Sequence, residues 1–349
     1  MQKNILTGGD KLGKKDTITK NYLNDPCIFA DAFNYLLYHG AQVVLPEKLL
    51  PLDTVEAAFP YGADGRLQPV QKFRDNFKYL AAMQDEEKAY LLLGVENQSE
   101  IHYAMPVKSM IYDSFEYAAQ VEKTARIHRR HLKSGKHSGQ KTLPKISSGE
   151  FLSGFYKGDR LIPVITLVIH FGPEKWDAPM RLHEMMDIKD PELLDYIPDY
   201  KINLISPCSL SDEQLNQFHT SLREVLLFIK YSKDKDRLRQ AITADSRFAS
   251  LEQRAGQVIK ILTGSDFEIK KEEETINMCK ALEDLKEEGR EEGRVQGQTE
   301  GVRSTEKKFV LRLLARKQFS YEEISDMTDV PIERIQEIER AGIINLPLK

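Results

Sequence analysis

Cysteine, tryptophan, long apolar runs and a decided net charge are all scarce in this chain. The three cysteines among its 349 residues, Cys27, Cys208 and Cys279, stand far apart with no CxxC spacing. That pattern argues against a disulfide framework or a structural zinc site and fits a reducing cytoplasm. The longest apolar run, LIPVITLVIHF (161–171), is too short to span a bilayer. The first residues, MQKNILTGGDKLGKK, contain no apolar stretch of signal-peptide length. A soluble, cytoplasmic protein with no membrane partner is expected. Net charge is only −4, so the chain as a whole does not advertise nucleic-acid binding, and any such surface has to be local. The single tryptophan, Trp176 in GPEKWDAP, reads as a packing anchor.

Apolar residues make up 41% of the chain and charged residues 30%, enough for a main domain with smaller units and an exposed helical part. Residues 1–24 are polar and rich in Lys and Gly, which predicts a flexible N-terminal arm. Asp25 before Pro26 is an N-cap candidate for a helix reaching Tyr38, where His39-Gly40 stops it. Two extended runs, RDNFKYLAAM (74–83) and KAYLLLGVENQ (88–98), are separated by QDEE and followed by an amphipathic helix from about Pro106 to Arg130. VITLVIHFG and INLISP read as further strands. From Ser211 the pattern is helical. SDEQ (211–214) and SYEE (320–323) are capping boxes.

Residues 268–308 are highly charged, with Gly at 289, 293, 297 and 301. That spacing allows close helix approach or, equally, a solvated linker. The expected division is an α/β domain over 25–210, a helical extension over 211–265, a charged glycine-punctuated helix or linker over 266–308, and a helix-turn-helix-like unit over 309–349. That last unit lacks a basic second helix, since PIERIQEIER carries three acids against two arginines, so assembly into a homo-oligomer or docking is the better reading.

The stretch KAYLLLGVENQSE (88–100) places a carboxylate, Glu96, at the end of an apolar strand, where it is costly unless paired. If the two extended runs form an antiparallel hairpin with a four-residue loop, Gln84 to Glu87, then Asp75 lies directly opposite Glu96. Opposed side chains share a face, with Cβ atoms roughly 4.5–5.5 Å apart. Either one of the two carboxylates holds a proton, or a divalent cation such as Mg²⁺ bridges them. Gln98 projects from the same face and could orient a metal-bound water.

A second concentration of chemistry lies in KTARIHRRHLKSGKHSGQKTLPK (123–145), which has eight Lys/Arg, three His and no acid. Such a local excess suits a phosphate backbone, and Arg126, Arg129, Arg130 and Lys133 are the candidate DNA contacts. A solvated helix end is the plainer alternative.

Asp75, the apolar strand, Glu96-Asn97-Gln98 and the following helix resemble the Rpn-type recombination-promoting nucleases and transposases of the PD-(D/E)XK superfamily. The resemblance extends over most of residues 25–300, through RDNFKYL, ENQSEIHYAMPVKSMIYDSFEYAAQ, VITLVIHFGPEKWDAP and the Gly-punctuated tail. It implies a restriction-endonuclease-like mixed sheet flanked by helices, and Mg²⁺-dependent cleavage of DNA. Asp75, Glu96 and the carbonyl of Asn97 would hold the metal, and Gln98 stands where most of the superfamily has lysine. An amide can orient water or phosphate but brings no positive charge. The resemblance also makes Asp31, on the first helix, a candidate additional acid. The alternative is an exposed helix aspartate. A catalytically inactive DNA-binding or assembly protein on the same fold is the competing function.

Overall fold

The computed structural model describes residues 6–51, 55–58, 70–73, 76–81, 89–137, 146–270 and 273–343. Two compact units divide the chain, Met1–Cys279 and Lys280–Lys349.

The first unit is mixed α/β. Helices α1 (Leu6–Leu23) and α2 (Pro26–Tyr38) precede strands β1 (Leu49–Pro51), β2 (Val55–Ala58), β3 (Val70–Phe73), β4 (Asn76–Ala81) and β5 (Ala89–Gln98). Helix α3 (Met105–His137) and the short α4 (Ser148–Ser153) lead to β6 (Val164–His170) and β7 (Asn203–Ile205). Helices α5 (Asp212–Leu215), α6 (Leu222–Tyr231) and α7 (Lys235–Ala244), strand β8 (Leu251–Glu252), helix α8 (Gln253–Thr263) and strand β9 (Thr275–Ile276) complete it.

The main sheet has the order β1-β4-β5-β6-β7. The pairs β1–β4 and β4–β5 are antiparallel, whereas β5–β6 and β6–β7 are parallel. A parallel pair needs a long crossover, which α3 provides. Over Asn76–Leu80 the β4–β5 register runs from Asn76↔Val95 to Leu80↔Leu91, as the hairpin reading predicts. A shift follows Leu80, so Ala81 pairs with Ala89. The expected loop, Gln84 to Glu87, lies outside the described residues.

Alternation along β5 sends Glu96 and Asn97 to opposite faces, and both are buried. Asn97 donates through Nδ2 to Thr19 Oγ1 at 2.7 Å, on the side of α1. Glu96 meets α3. The sheet is therefore covered on both faces, which is why its central strands are nearly continuous in apolar residues. Polar bonds lock α3 to β6. Thr166 Oγ1 donates to Asp113 Oδ1 at 2.6 Å, Tyr200 OH donates to Asp113 Oδ2, and Gln120 exchanges two hydrogen bonds with the backbone of Ile162. Met105, Val168, Trp176, Ala178 and Ile202 pack beside them, with Trp176 buried as an anchor.

Residues 1–24, expected as a flexible arm, instead carry α1. Its C-terminal turn is held by tertiary packing: Thr19, Tyr22 and Leu23 are buried, and Tyr22 OH lies 2.8 Å from Ser221 Oγ, which donates to Glu252 at 2.9 Å. The expected extension over 211–265 belongs to the same compact unit, because α6 and α8 bury Leu222, Val225, Leu226, Val258 and Ile259 within it. Residues 235–263 hold two helices, α7 and α8, divided where Asp245 accepts from Arg247 N at 3.0 Å.

The second unit contains most of α9 (Met278–Arg316), with α10 (Tyr321–Thr328) and α11 (Ile332–Ile343). The charged segment over 266–308 is thus helical from Met278 onward. At Gly289, Gly293, Gly297 and Gly301 an added Cβ would meet nothing within 4 Å among the described residues, so no close helix approach uses them there. Val310, Leu313, Ile324, Val330, Ile335 and Ile338 form this unit's core.

Candidate active site

Strand β5 ends at Gln98 and α3 begins at Met105, so the carboxyl end of a central strand and the N-terminal turn of a helix meet at one edge of the sheet. Open α/β sheets commonly bind ligands at the carboxyl ends of their strands. Glu96 is 1% exposed there. Its Oε2 lies 3.0 Å from Nζ of Lys108, one turn into α3. The buried carboxylate thus faces a cation carried by the helix. The ammonium also lies 5.9 Å from the centre of the Tyr112 ring, within cation–π range.

The parallel register sets Glu96 beside Val168 and Gln98 beside His170, so these four residues share the face that α3 covers. Gln98 is half-buried. His170 is fully buried, with Nδ1 3.4 Å from Ser206 Oγ and its ring edge-on to Trp176. Burial pushes the His170 pKa below its ordinary value, against a smaller opposite pull from Glu174. Gly172 is required there, because a Cβ at this position would stand 2.4 Å from His170 Nε2. On the loop between β5 and α3, exposed His102 accepts from Ala104 N at 3.3 Å. Partial burial, then the nearby charge of Lys108, lower its pKa.

Asp75 lies outside the described residues. Its sequence neighbour Asn76 pairs with Val95, the residue before Glu96. Asn97 directs its side chain away from Glu96, towards α1. Asp31 is neither exposed nor shown with a polar contact to Glu96. It is 1% exposed and accepts from His219 N at 3.0 Å, Thr220 N at 2.8 Å and Thr220 Oγ1 at 2.6 Å. The exposed-aspartate reading gives way to a buried carboxylate that holds the residues leading into α6. Among the described residues no group of three or more His, Cys, Asp or Glu is placed to hold a metal ion.

Arg126, Arg129, Arg130 and Lys133 are all exposed on α3, at intervals of three and four residues that place them along one side. Arg126 is already paired with Glu122 at 2.8 Å. Lys108 is the residue that the sequence reading passed over. Its signal was present: with Met105 and Tyr112 it falls at the i, i+3, i+7 spacing of one helical side, directly after a strand that ends in a carboxylate.

Residues 152–258 match the model of a family described as "Putative transposase, YhgA-like". The match starts in α4 and ends in α8. It takes in β6, with His170, and β7, but neither Glu96 nor the strands of the hairpin. No curated protein and no solved structure matches the chain. Among the described residues no helix is long and apolar enough to cross a membrane.

Proposed function

We propose that the chain is a cytoplasmic, metal-dependent DNA endonuclease of restriction-endonuclease-like fold, acting in transposition or recombination. The observation that carries this reading is a buried glutamate, Glu96, at the carboxyl end of the strand where the sheet changes from antiparallel to parallel pairing. The match to a transposase family over the neighbouring elements supports a DNA substrate. The exposed cationic side of α3 would then lie along the phosphate backbone.

Mg²⁺ takes oxygen ligands, and the donors proposed for it are oxygens throughout: the carboxylates of Glu96 and Asp75 and the main-chain carbonyl of Asn97. The donor set therefore fits a hard cation in type, the second carboxylate resting on Asp75. When bound, Mg²⁺ would lower the pKa of a coordinated water and offset charge on the phosphate oxygens. The rest falls to the chain. Glu96 holds its carboxylate in one orientation through burial on a central strand. Gln98, two residues on and on the same face, offers an amide that orients water or a phosphate oxygen without adding charge.

The test compares wild type, Asp75→Ala and Glu96→Ala on supercoiled plasmid with Mg²⁺ and with EDTA. Nicking or linearisation is expected only for wild type with Mg²⁺. One observation favours the second reading, a catalytically silent DNA-binding or assembly protein: Glu96 already has a cationic partner in Lys108. An intact plasmid under every condition, together with retained DNA binding, would establish that reading instead.

A further inference from the structure

We propose that Lys108 supplies the positive charge at the scissile phosphate that Gln98 cannot, making a helix residue the cation of this site. The inference rests on the nuclease reading above. Displacement at a phosphodiester spreads negative charge over the phosphate oxygens, and groups already aimed at that charge lower the barrier. Gln98 carries no net charge at any pH, so the strand itself contributes none.

Lys108 has the required placement. Its Nζ is 3.0 Å from Glu96 Oε2, so any phosphate brought to a metal on Glu96 arrives beside this ammonium. The lysine side chain is 25% exposed and the glutamate side chain 2%, which sets the charge between the buried carboxylate and solvent, on the side from which a polyanion must come. The backbone that carries it is fixed by the Asp113–Thr166 and Gln120–Ile162 bonds further along α3, so the ammonium is positioned before substrate binds. A merely structural lysine would neutralise Glu96 and nothing more. In that case its removal would weaken the pairing of a buried charge and the loss would be one of stability.

The experiment uses the full chain and three proteins besides wild type: Lys108→Met, Glu96→Ala, and the double variant Gln98→Lys/Lys108→Met. The double variant returns a lysine to the same face of β5 and can pair again with Glu96. Cleavage of plasmid at saturating Mg²⁺, binding of Ca²⁺ by calorimetry and thermal unfolding are measured on each. Lys108→Met is expected to lose about 100-fold or more in kcat with little change in KM for DNA. It should bind Ca²⁺ at least as tightly as wild type, because a cation competing for Glu96 has gone. The double variant should recover about tenfold or more in kcat over Lys108→Met. Three results would overturn the proposal: full cleavage by Lys108→Met beside a dead Glu96→Ala; a kcat loss in Lys108→Met that the double variant does not reverse although it melts like wild type; or weaker Ca²⁺ binding in Lys108→Met than in wild type. Each of these leaves the nuclease reading standing. A wild type that neither cleaves nor binds Ca²⁺ overturns both.

Discussion

Asp31 and Thr220 are joined by two hydrogen bonds, the backbone N–H donating at 2.8 Å and the hydroxyl at 2.6 Å to the same carboxylate oxygen. The backbone N–H of His219 adds bonds of 3.0 Å to both oxygens. Ser221, at the N-cap position of α6, makes no side-chain cap of its own and bonds to Tyr22 and Glu252 instead. A carboxylate from α2 thus pins, from 188 residues away, the two residues that lead into the N-cap of α6. Asp31→Ala is expected to lower unfolding free energy by about 2 kcal/mol, since it strands several part-buried donors at once. Urea denaturation measures it. A variant of wild-type stability that no longer cleaves DNA would return Asp31 to the chemistry.

A pH dependence follows from His170. The folded protein holds this imidazole neutral, because burial depresses its pKa from the ordinary value of 6.5. Below that value the unfolded chain takes up a proton that the folded chain refuses, so stability falls as pH drops from 6.5 towards the lower folded pKa. Above it the contribution is complete and flat. His170→Phe is expected to reduce the loss of stability between pH 7.5 and pH 5.5, read as urea midpoints at the two values. An identical acid-side loss in both proteins would assign it to other groups.

Much of this was legible because local chemistry decides it. Asp25 accepts from Cys27 N at 2.9 Å and starts α2 as its sequence predicts, and Ser211 and Ser320 form the capping boxes read from SDEQ and SYEE. The β4–β5 register over Asn76–Leu80 followed from apolar patterning and loop length. Segments stabilised from a distance were not legible. The sequence of α1, LTGGDKLGKKDTITKNYL, is poor in helix formers, and its order comes from docking Tyr22 and Leu23. Lys108 was missed for a related reason. A lysine on an amphipathic helix ordinarily reads as solvated, and only the crossing of α3 over β5 turns it inward to Glu96.

The cationic side of α3 predicts an unequal set of salt effects. Each phosphate contact contributes about 0.9 to the slope of log affinity against log salt. Arg129→Gln, Arg130→Gln and Lys133→Gln should each flatten the slope for duplex DNA by about that amount. Arg126→Gln should do less, because Glu122 already occupies its guanidinium at 2.8 Å. Fluorescence anisotropy between 50 and 200 mM salt, a range of about the width over which such contacts are resolved, separates these cases. Four unchanged slopes would remove α3 from the DNA interface.

The glycines of α9 give the last prediction. Gly289, Gly293, Gly297 and Gly301 lie inside a continuous helix, with open space where each Cβ would stand among the described residues. Glycine inside a helix costs about 0.5–1 kcal/mol relative to alanine through backbone entropy, and here no packing observed among the described residues returns it. The surrounding turns hold their shape through pairs such as Arg294 with Glu291, 2.5 Å apart, and Gln296 with Glu300, 3.1 Å apart. Replacing all four glycines by alanine should therefore raise helicity and the melting temperature of the segment, with the sedimentation coefficient unchanged. If assembly between copies used this glycine row for close approach, the added methyl groups would instead break the assembly, and sedimentation would report smaller particles at the same concentration.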